Sequence, residues 1–224
     1  MNQSGVVKKD YHDQRQKRID YNYRLNRRTR EVRRVIEKQF DNHSNLKCLD
    51  IGTADGLMLS KINQIFKFNQ AVGIDMSEEL IKTNLDPTIK LEVGDAQDLK
   101  FQDNYFDIVI AASMIDHLDD PEKMIKESYR VLKDNGILIL TVANPWFDKL
   151  SEAVGYTKAA EHNEKLPLVK LKKMLKSGNF AVIEAKYFML FPFFKIPFES
   201  FFEGLLNILG LKKLMCNQLI VGKK

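Results

Sequence analysis

Asp50, Asp75 and Asp95 each stand at or just after the end of a short apolar run, and the first run passes straight into a loop of small residues, Asp50-Ile-Gly-Thr-Ala-Asp-Gly56. A strand that feeds a helix through glycines lets backbone approach a ligand closely, and the helix N-terminus adds free N–H donors. Nucleotide cofactors are held in this way. In the dinucleotide fingerprint the glycines fall as G-x-G-x-x-G, whereas here Ala54 takes the second position and Leu57 the third. A carboxylate at Asp50 repels a pyrophosphate and suits a cofactor that carries an ammonium. The run Ala71-Val-Gly-Ile-Asp75 puts a second acid where a ribose diol needs a bidentate acceptor. Ser77, followed by Glu78 and Glu79, has the form of a helix N-cap with acids in the first turn. A third run, Ile89–Val93, leads to Gly94-Asp95-Ala96. On these residues alone a nicotinamide coenzyme remains the competing ligand.

With Asp50, Gly52 and Gly56 in register, the chain resembles the class I SAM-dependent methyltransferases, whose first motif is an acid followed by x-G-x-G-x-G. Ala54 departs from the middle glycine, and a left-handed backbone there costs about 1 kcal/mol. The resemblance implies S-adenosylmethionine as cofactor, with no metal. It places Asp50, Gly52, Thr53, Ala54, Gly56, Asp75, Met76, Asp95, Ala96 and Ser113 around that cofactor, Asp95 against the adenine amino group.

The resemblance runs from about residue 46 to about 190 and includes Ile115-Asp-His-Leu-Asp-Asp-Pro121. That segment is similar to the E-H-L-x-D-P stretch of the ubiquinone and menaquinone biosynthesis methyltransferases, with Asp116 in place of Glu. Methyl transfer from a sulfonium is an in-line displacement, so rate comes from positioning and from excluding water, and a base is optional. If the acceptor is a hydroxyl or an acidic carbon, a neutral imidazole is the natural proton acceptor, which makes His117 the first candidate and His162 the second. Each His also has a plain structural reading, His117 as a cap on the following loop and His162 as a surface residue. Asn144-Pro-Trp-Phe147 is similar to the N-P-P-Y/F motif of amino-group methyltransferases but follows the fifth strand instead of the fourth. Trp146 and Phe147 therefore read as pocket wall or packing. Oxygen is the expected acceptor atom.

The elements that must position these residues alternate as apolar strands and helices, which predicts a Rossmann-like α/β fold. The resemblance implies a seven-stranded, mostly parallel sheet with helices on both faces and an antiparallel last strand. Residues 1–45 form a basic helical extension and 46–224 the methyltransferase domain, with a helical insertion at 191–213. Ligands in such sheets sit at the carboxyl ends of the strands, where Gly52, Asp75, Asp95 and Ser113 all fall. The expected boundaries include a helix from Pro121 to about Leu132, a turn at Asn135-Gly136, and strands at Phe180–Phe191 and Asn217–Val221.

At 224 residues and 44% hydrophobic content the chain suits one large domain with additions. Cys48 and Cys216 lie in apolar runs without metal or disulfide spacing, which points to a reducing compartment and a cytoplasmic protein. Residues 1–40 carry 12 Lys/Arg against 5 Asp/Glu, and the other 184 carry 23 against 25, so the net +5 is a local feature. Within Tyr21–Phe40 the residues Leu25, Val32, Val35, Ile36 and Phe40 form an apolar stripe among arginines. That helix reads as a solvated surface helix, as a binder of an anionic group of the acceptor, or as an RNA-contacting arm. RNA is disfavoured because no aromatic stacking platform accompanies the arginines.

The segment Phe198–Leu209 places Phe198, Phe201, Phe202, Leu205, Leu206 and Leu209 on one stripe, opposite Glu199, Ser200, Glu203 and Asn207. Three readings stand open: a lid packed over the acceptor pocket, a dimer face, or a peripheral membrane contact serving a lipid-linked acceptor. With the N-terminal helix it is expected to roof the acceptor chamber. The protein is expected to be a monomer or a homodimer that acts on a small molecule. A non-catalytic SAM-binding module is the rival from another class.

Overall fold

The computed structural model describes residues 19–43, 45–153, 165–192 and 197–224. Seven strands form one sheet: β1 (Lys47–Ile51), β2 (Gln70–Asp75), β3 (Lys90–Val93), β4 (Phe106–Ala112), β5 (Leu132–Ala143), β6 (Ala181–Phe188) and β7 (Asn217–Lys223). Their order is β3-β2-β1-β4-β5-β7-β6. The pairs from β3 to β5 are parallel, and β7 runs antiparallel to both β5 and β6. This is the doubly wound sheet that the strand–helix alternation predicts.

The central strands are apolar at successive positions because both faces are covered. On one face Leu49, Val109, Leu138 and Leu140 join Met124, Ile125, Leu171 and Leu175. These last four belong to helices α4 (Pro121–Val131) and α6 (Leu168–Ser177). On the other face Cys48, Ile108, Ile110, Ile137 and Ile139 pack against Val32, Val35 and Ile36 of α1 (Ile19–Gln39) and Leu59 and Ile62 of α2 (Leu57–Phe66). Each large side chain fully buried there contributes about 1.5–3 kcal/mol. Both cysteines are free thiols inside this core.

Two further helices follow β2 and β5. Ser77 caps α3 (Glu78–Ile81) by accepting from Leu80 N–H, as its sequence form predicts. Helix α5 (Pro145–Ala153) follows β5. The insertion contains α7 (Glu199–Ile208) and a 3-10 turn at Lys212–Leu214.

Two boundaries differ from expectation. Strand β6 stops at Phe188 instead of continuing to Phe191. The Asn135-Gly136 turn is not a connector between helix and strand: α4 passes directly into β5 at Leu132, and the turn is a bulge inside the strand. Pairing jumps from Phe106↔Leu132 to Ile108↔Ile137, with Asn135 at φ 65°. Lys133 Nζ, 2.9 Å from both Asp107 carboxylate oxygens, fixes the looped-out backbone to β4.

Candidate functional site

The loop between β1 and α2 is shaped by positive φ angles at three positions, Gly52 (71°), Ala54 (53°) and Gly56 (74°). The alanine thus occupies the left-handed conformation that the family's middle glycine would take without strain. A neighbouring carboxylate helps to hold it there, since Ala54 N–H donates to Asp75 Oδ2 at 2.8 Å. Asp75 Oδ1 accepts from Ser77 N–H at 2.9 Å, so one carboxyl group at the end of β2 ties the glycine loop to the cap of α3. Gly52 and Thr53 N–H both donate to Ile74 C=O, at 2.8 and 3.0 Å, which seats the loop on the end of β2.

Asp50 is 1% exposed and accepts from Thr53 Oγ1 at 2.7 Å. Its pKa is pushed up to about 7, first by burial and then by the charges of Asp75 and Asp55, against the opposing effect of the Thr53 hydroxyl. Asp95 lies two residues beyond the end of β3, after Gly94, whose N–H donates to Asp75 C=O at 3.0 Å. Its Oδ1 accepts from Gln97 N–H at 2.8 Å, and Ala96 is buried beneath it in the core. Ser113, after β4, holds φ 55°, and its buried hydroxyl has no hydrogen-bond partner. Met76, next to Asp75, is half-buried.

The structure therefore brings Asp50, Gly52, Thr53, Ala54, Gly56, Asp75, Met76, Asp95, Ala96 and Ser113 to the carboxyl edge of β1 to β4. His117 closes the 3-10 turn Ile115–His117 that follows Ser113, and its N–H donates to Met114 C=O at 3.0 Å. His162 lies outside the described residues.

Met114 was not anticipated. A Cβ added at Gly52 would come within 2.8 Å of Met114 Cβ and Cγ, so this side chain rests directly on the loop. A Cβ at Gly56 would meet Ile89 Cδ1 at 2.8 Å and Leu91 Cδ1 at 3.0 Å, which seals the loop from the β3 side. For Met114 the usable signal was its place one residue past a strand-end serine in a switch-point sheet.

The donor set suits S-adenosylmethionine. Acids tip three adjacent strands, a pattern that favours an ammonium, a sulfonium and hydroxyl donors over a pyrophosphate. The orphaned Ser113 hydroxyl supplies one unused polar group at the same edge. Among the described residues no group of three or more His, Cys, Asp or Glu could hold a metal ion.

The arginines of α1 face elsewhere. The Arg27 side chain, 3% exposed, pairs with Glu31 and with Glu203 Oε2 at 2.8 Å, and lies 3.5 Å from Glu199 Oε2. Arg34 pairs with Glu184 and with Glu31 Oε2 at 3.0 Å, and Lys186 reaches the same Glu31 oxygen at 2.5 Å. A cavity of about 440 Å³ beside this network carries both signs on its walls, including Arg30, Arg33, Glu37 and Ser200. The stripe of Val32, Val35 and Ile36 packs on the core, which is the surface-helix reading.

The Phe-rich helix is turned the other way from the expected lid. Glu199 is buried, while Phe198, Phe201, Phe202, Leu205, Ile208 and Leu209 face solvent. The reason is electrostatic: Glu199 and Glu203 are drawn onto Arg27, and Tyr23 donates its hydroxyl to Glu199 Oε1 at 2.5 Å. Of the pair expected to be pocket wall or packing, Phe147 packs on the core and Trp146 is exposed.

Residues 49–140 match a family described as a methyltransferase domain. Among curated relatives, the demethylmenaquinone methyltransferase of Staphylococcus carnosus is 34% identical over 115 residues, covering 48% of this chain and 47% of that protein. The chain spans about half the length, or less, of the curated relatives it matches. Of the similar folds, a SAM-dependent methyltransferase from Archaeoglobus fulgidus superposes with TM-score 0.60 at 18% identity, covering 88% of this chain and 94% of that one. The [4+2]-cyclase SpnF superposes with TM-score 0.60 at 15% identity, covering 87% of this chain and 80% of that one, so the fold alone does not fix the reaction. Sheet order, acid-tipped strands, left-handed loop and the match of residues 49–140 to a methyltransferase domain agree, and in these features the chain is similar to the class I S-adenosylmethionine-dependent methyltransferases.

Proposed function

We propose that this chain transfers the methyl group of S-adenosylmethionine to a small-molecule acceptor, at oxygen, in a reducing cytoplasmic compartment that suits its two free thiols. The observation that carries the reading is the bond from Ala54 N–H to Asp75, which joins the glycine loop and the ribose acid into one place. When bound, the cofactor supplies an electrophilic methyl carbon on sulfur. The chain's own part is to hold and to shelter. Asp75 accepts from the ribose hydroxyls, Asp95 from the adenine amino group, and Asp50 in its ionised form stabilises positive charge near the loop. Ser113 offers its unused hydroxyl, and Met114 screens the loop from water. His117, on the turn that follows the β4 edge, takes the acceptor proton.

Calorimetry and a labelled-methyl assay test this together. Asp75→Ala should weaken S-adenosylmethionine binding by about 1.5–3 kcal/mol, and NAD should give no heat. A panel of hydroxylated and amine acceptors should include a hydroquinone, because one relative is a demethylmenaquinone methyltransferase. His117→Ala should lower turnover and leave cofactor affinity near normal. Unchanged affinity in Asp75→Ala removes that residue from the site. Cofactor binding without transfer to any acceptor favours the non-catalytic module.

A further inference from the structure

Helix α7 and the 3-10 turn after it direct their apolar side chains away from the protein. Phe198 is 81% exposed, Phe201 67% and Ile208 83%, with Leu209 and Leu211 beside them. Large apolar side chains left in water forgo the gain of burial, so a strip of this kind marks a contact surface. Charge indicates what it contacts. Across residues 197–214, Lys212 and Lys213 are the only charged side chains turned to solvent, because Glu199 and Glu203 are drawn inward onto Arg27.

Trp146 extends the strip. It is 53% exposed, with Lys213 Nζ 5.0 Å and Lys149 Nζ 5.6 Å from its ring centroid. Asn144 locks the two segments together by donating to Lys213 C=O at 2.8 Å. An apolar strip with lysines on its rim and an indole at its edge has the composition of a helix that lies in the headgroup layer of an anionic bilayer. A second copy fits less well, since both copies would bring Lys212 and Lys213 to the interface and neither brings an exposed carboxylate on the strip to answer them.

We infer that the face running from Phe198 to Leu214, with Trp146 at its edge, docks on the surface of an anionic lipid bilayer. The insertion lies in the interface and does not span it, since among the described residues no helix is long and apolar enough to cross a membrane. The inference goes beyond the methyl-transfer reading and does not depend on it, because no residue of the cofactor loop takes part.

Trp146 is the chain's single tryptophan, so its emission reports directly on this surface. The full chain is titrated, without cofactor, with vesicles of phosphatidylcholine alone and with vesicles that also contain phosphatidylglycerol. The mixed vesicles should shift the emission to the blue and sediment the protein, and added salt should weaken both effects. Lys212→Gln with Lys213→Gln should weaken binding about 25-fold, from about fivefold per lysine. Lys172→Gln with Lys173→Gln, an exposed pair on α6, should leave it nearly unchanged. Phe201→Ser with Ile208→Ser should abolish the blue shift. Equal losses in the two lysine pairs would reduce the effect to net charge and overturn the inference. So would an unmoved emission, or a lipid-independent dimer broken by Phe201→Ser.

Discussion

Replacing Asp50 by Asn separates the cost of burying a charge from the shape of the loop that holds it. The Asp50 carboxyl titrates at about 7 in the folded chain against an ordinary value of 3.8, chiefly because it is buried. The folded chain therefore holds this proton more tightly than the unfolded chain does. Its contribution to stability is greatest below the ordinary carboxyl range and is lost as pH rises toward 7. At 1.36 kcal/mol per unit, roughly three units amount to about 4 kcal/mol once the group is fully ionised. The Asn variant keeps a neutral acceptor for the Thr53 hydroxyl and escapes the loss. Urea unfolding at about pH 5 and about pH 8 should show the native chain losing about 3 kcal/mol relative to the variant between the two conditions. Cofactor binding should move in the opposite sense, because a nearby cation favours the ionised form. With a pKa of about 7 the ionised fraction climbs from about 3% at pH 5.5 to about half at pH 7, so affinity for S-adenosylmethionine should rise about 15-fold. The variant should bind more weakly and without that slope. A stability difference that stays constant with pH, together with a flat binding profile in the native chain, refutes the reasoning.

Ala54→Gly should raise stability by about 0.5–1 kcal/mol, because glycine removes the left-handed strain at φ 53°; urea unfolding checks it, and a decrease would show that the Asp75 bond had already relieved that strain. Arg27→Ala should cost about 3–5 kcal/mol and lower the melting temperature, because it takes from the Glu31, Glu199 and Glu203 carboxylates the one buried guanidinium they share. Glu31 is disfavoured as an anion by burial, but its bond to Arg27 and that residue's charge win and hold its pKa at about 2. Its stabilisation is thus present above the ordinary value of 4.5 and lost as pH falls toward 2, a loss that an acid titration of Glu31→Gln should lack.

The geometry at the carboxyl ends of β1 to β4 was legible in the sequence because local rules govern it. A strand that ends in an acid, a loop that needs positive φ, and a serine that caps a helix are decided within a few residues, and Asp75, Ala54 and Ser77 behave as those rules require. Period 3.6 showed that residues 198–209 form a helix with two unlike faces. It could not show which face turns inward, because that is decided by Arg27, more than 170 residues earlier in the chain. The Asn135-Gly136 bulge has the same origin: the pair marks a reversal, but its absorption into β5 depends on Asp107 and Lys133 meeting across two strands. The place of Met114 past the end of β4 marks its neighbourhood, but nothing local marks that its side chain will rest on Gly52.

The position of β7 between β5 and β6 sets a timetable for synthesis on the ribosome. Residues 132–143 emerge long before 217–223, so until the tail arrives the nascent sheet presents an open hydrogen-bonding margin to whatever is nearby. Closure of that gap pairs residues as far apart in the chain as Ile137 and Lys223, and contacts of such long range form late and slowly. Products truncated before residue 217 would therefore keep a sticky border, and demand for chaperone protection should be concentrated in the interval before residues 217–223 emerge.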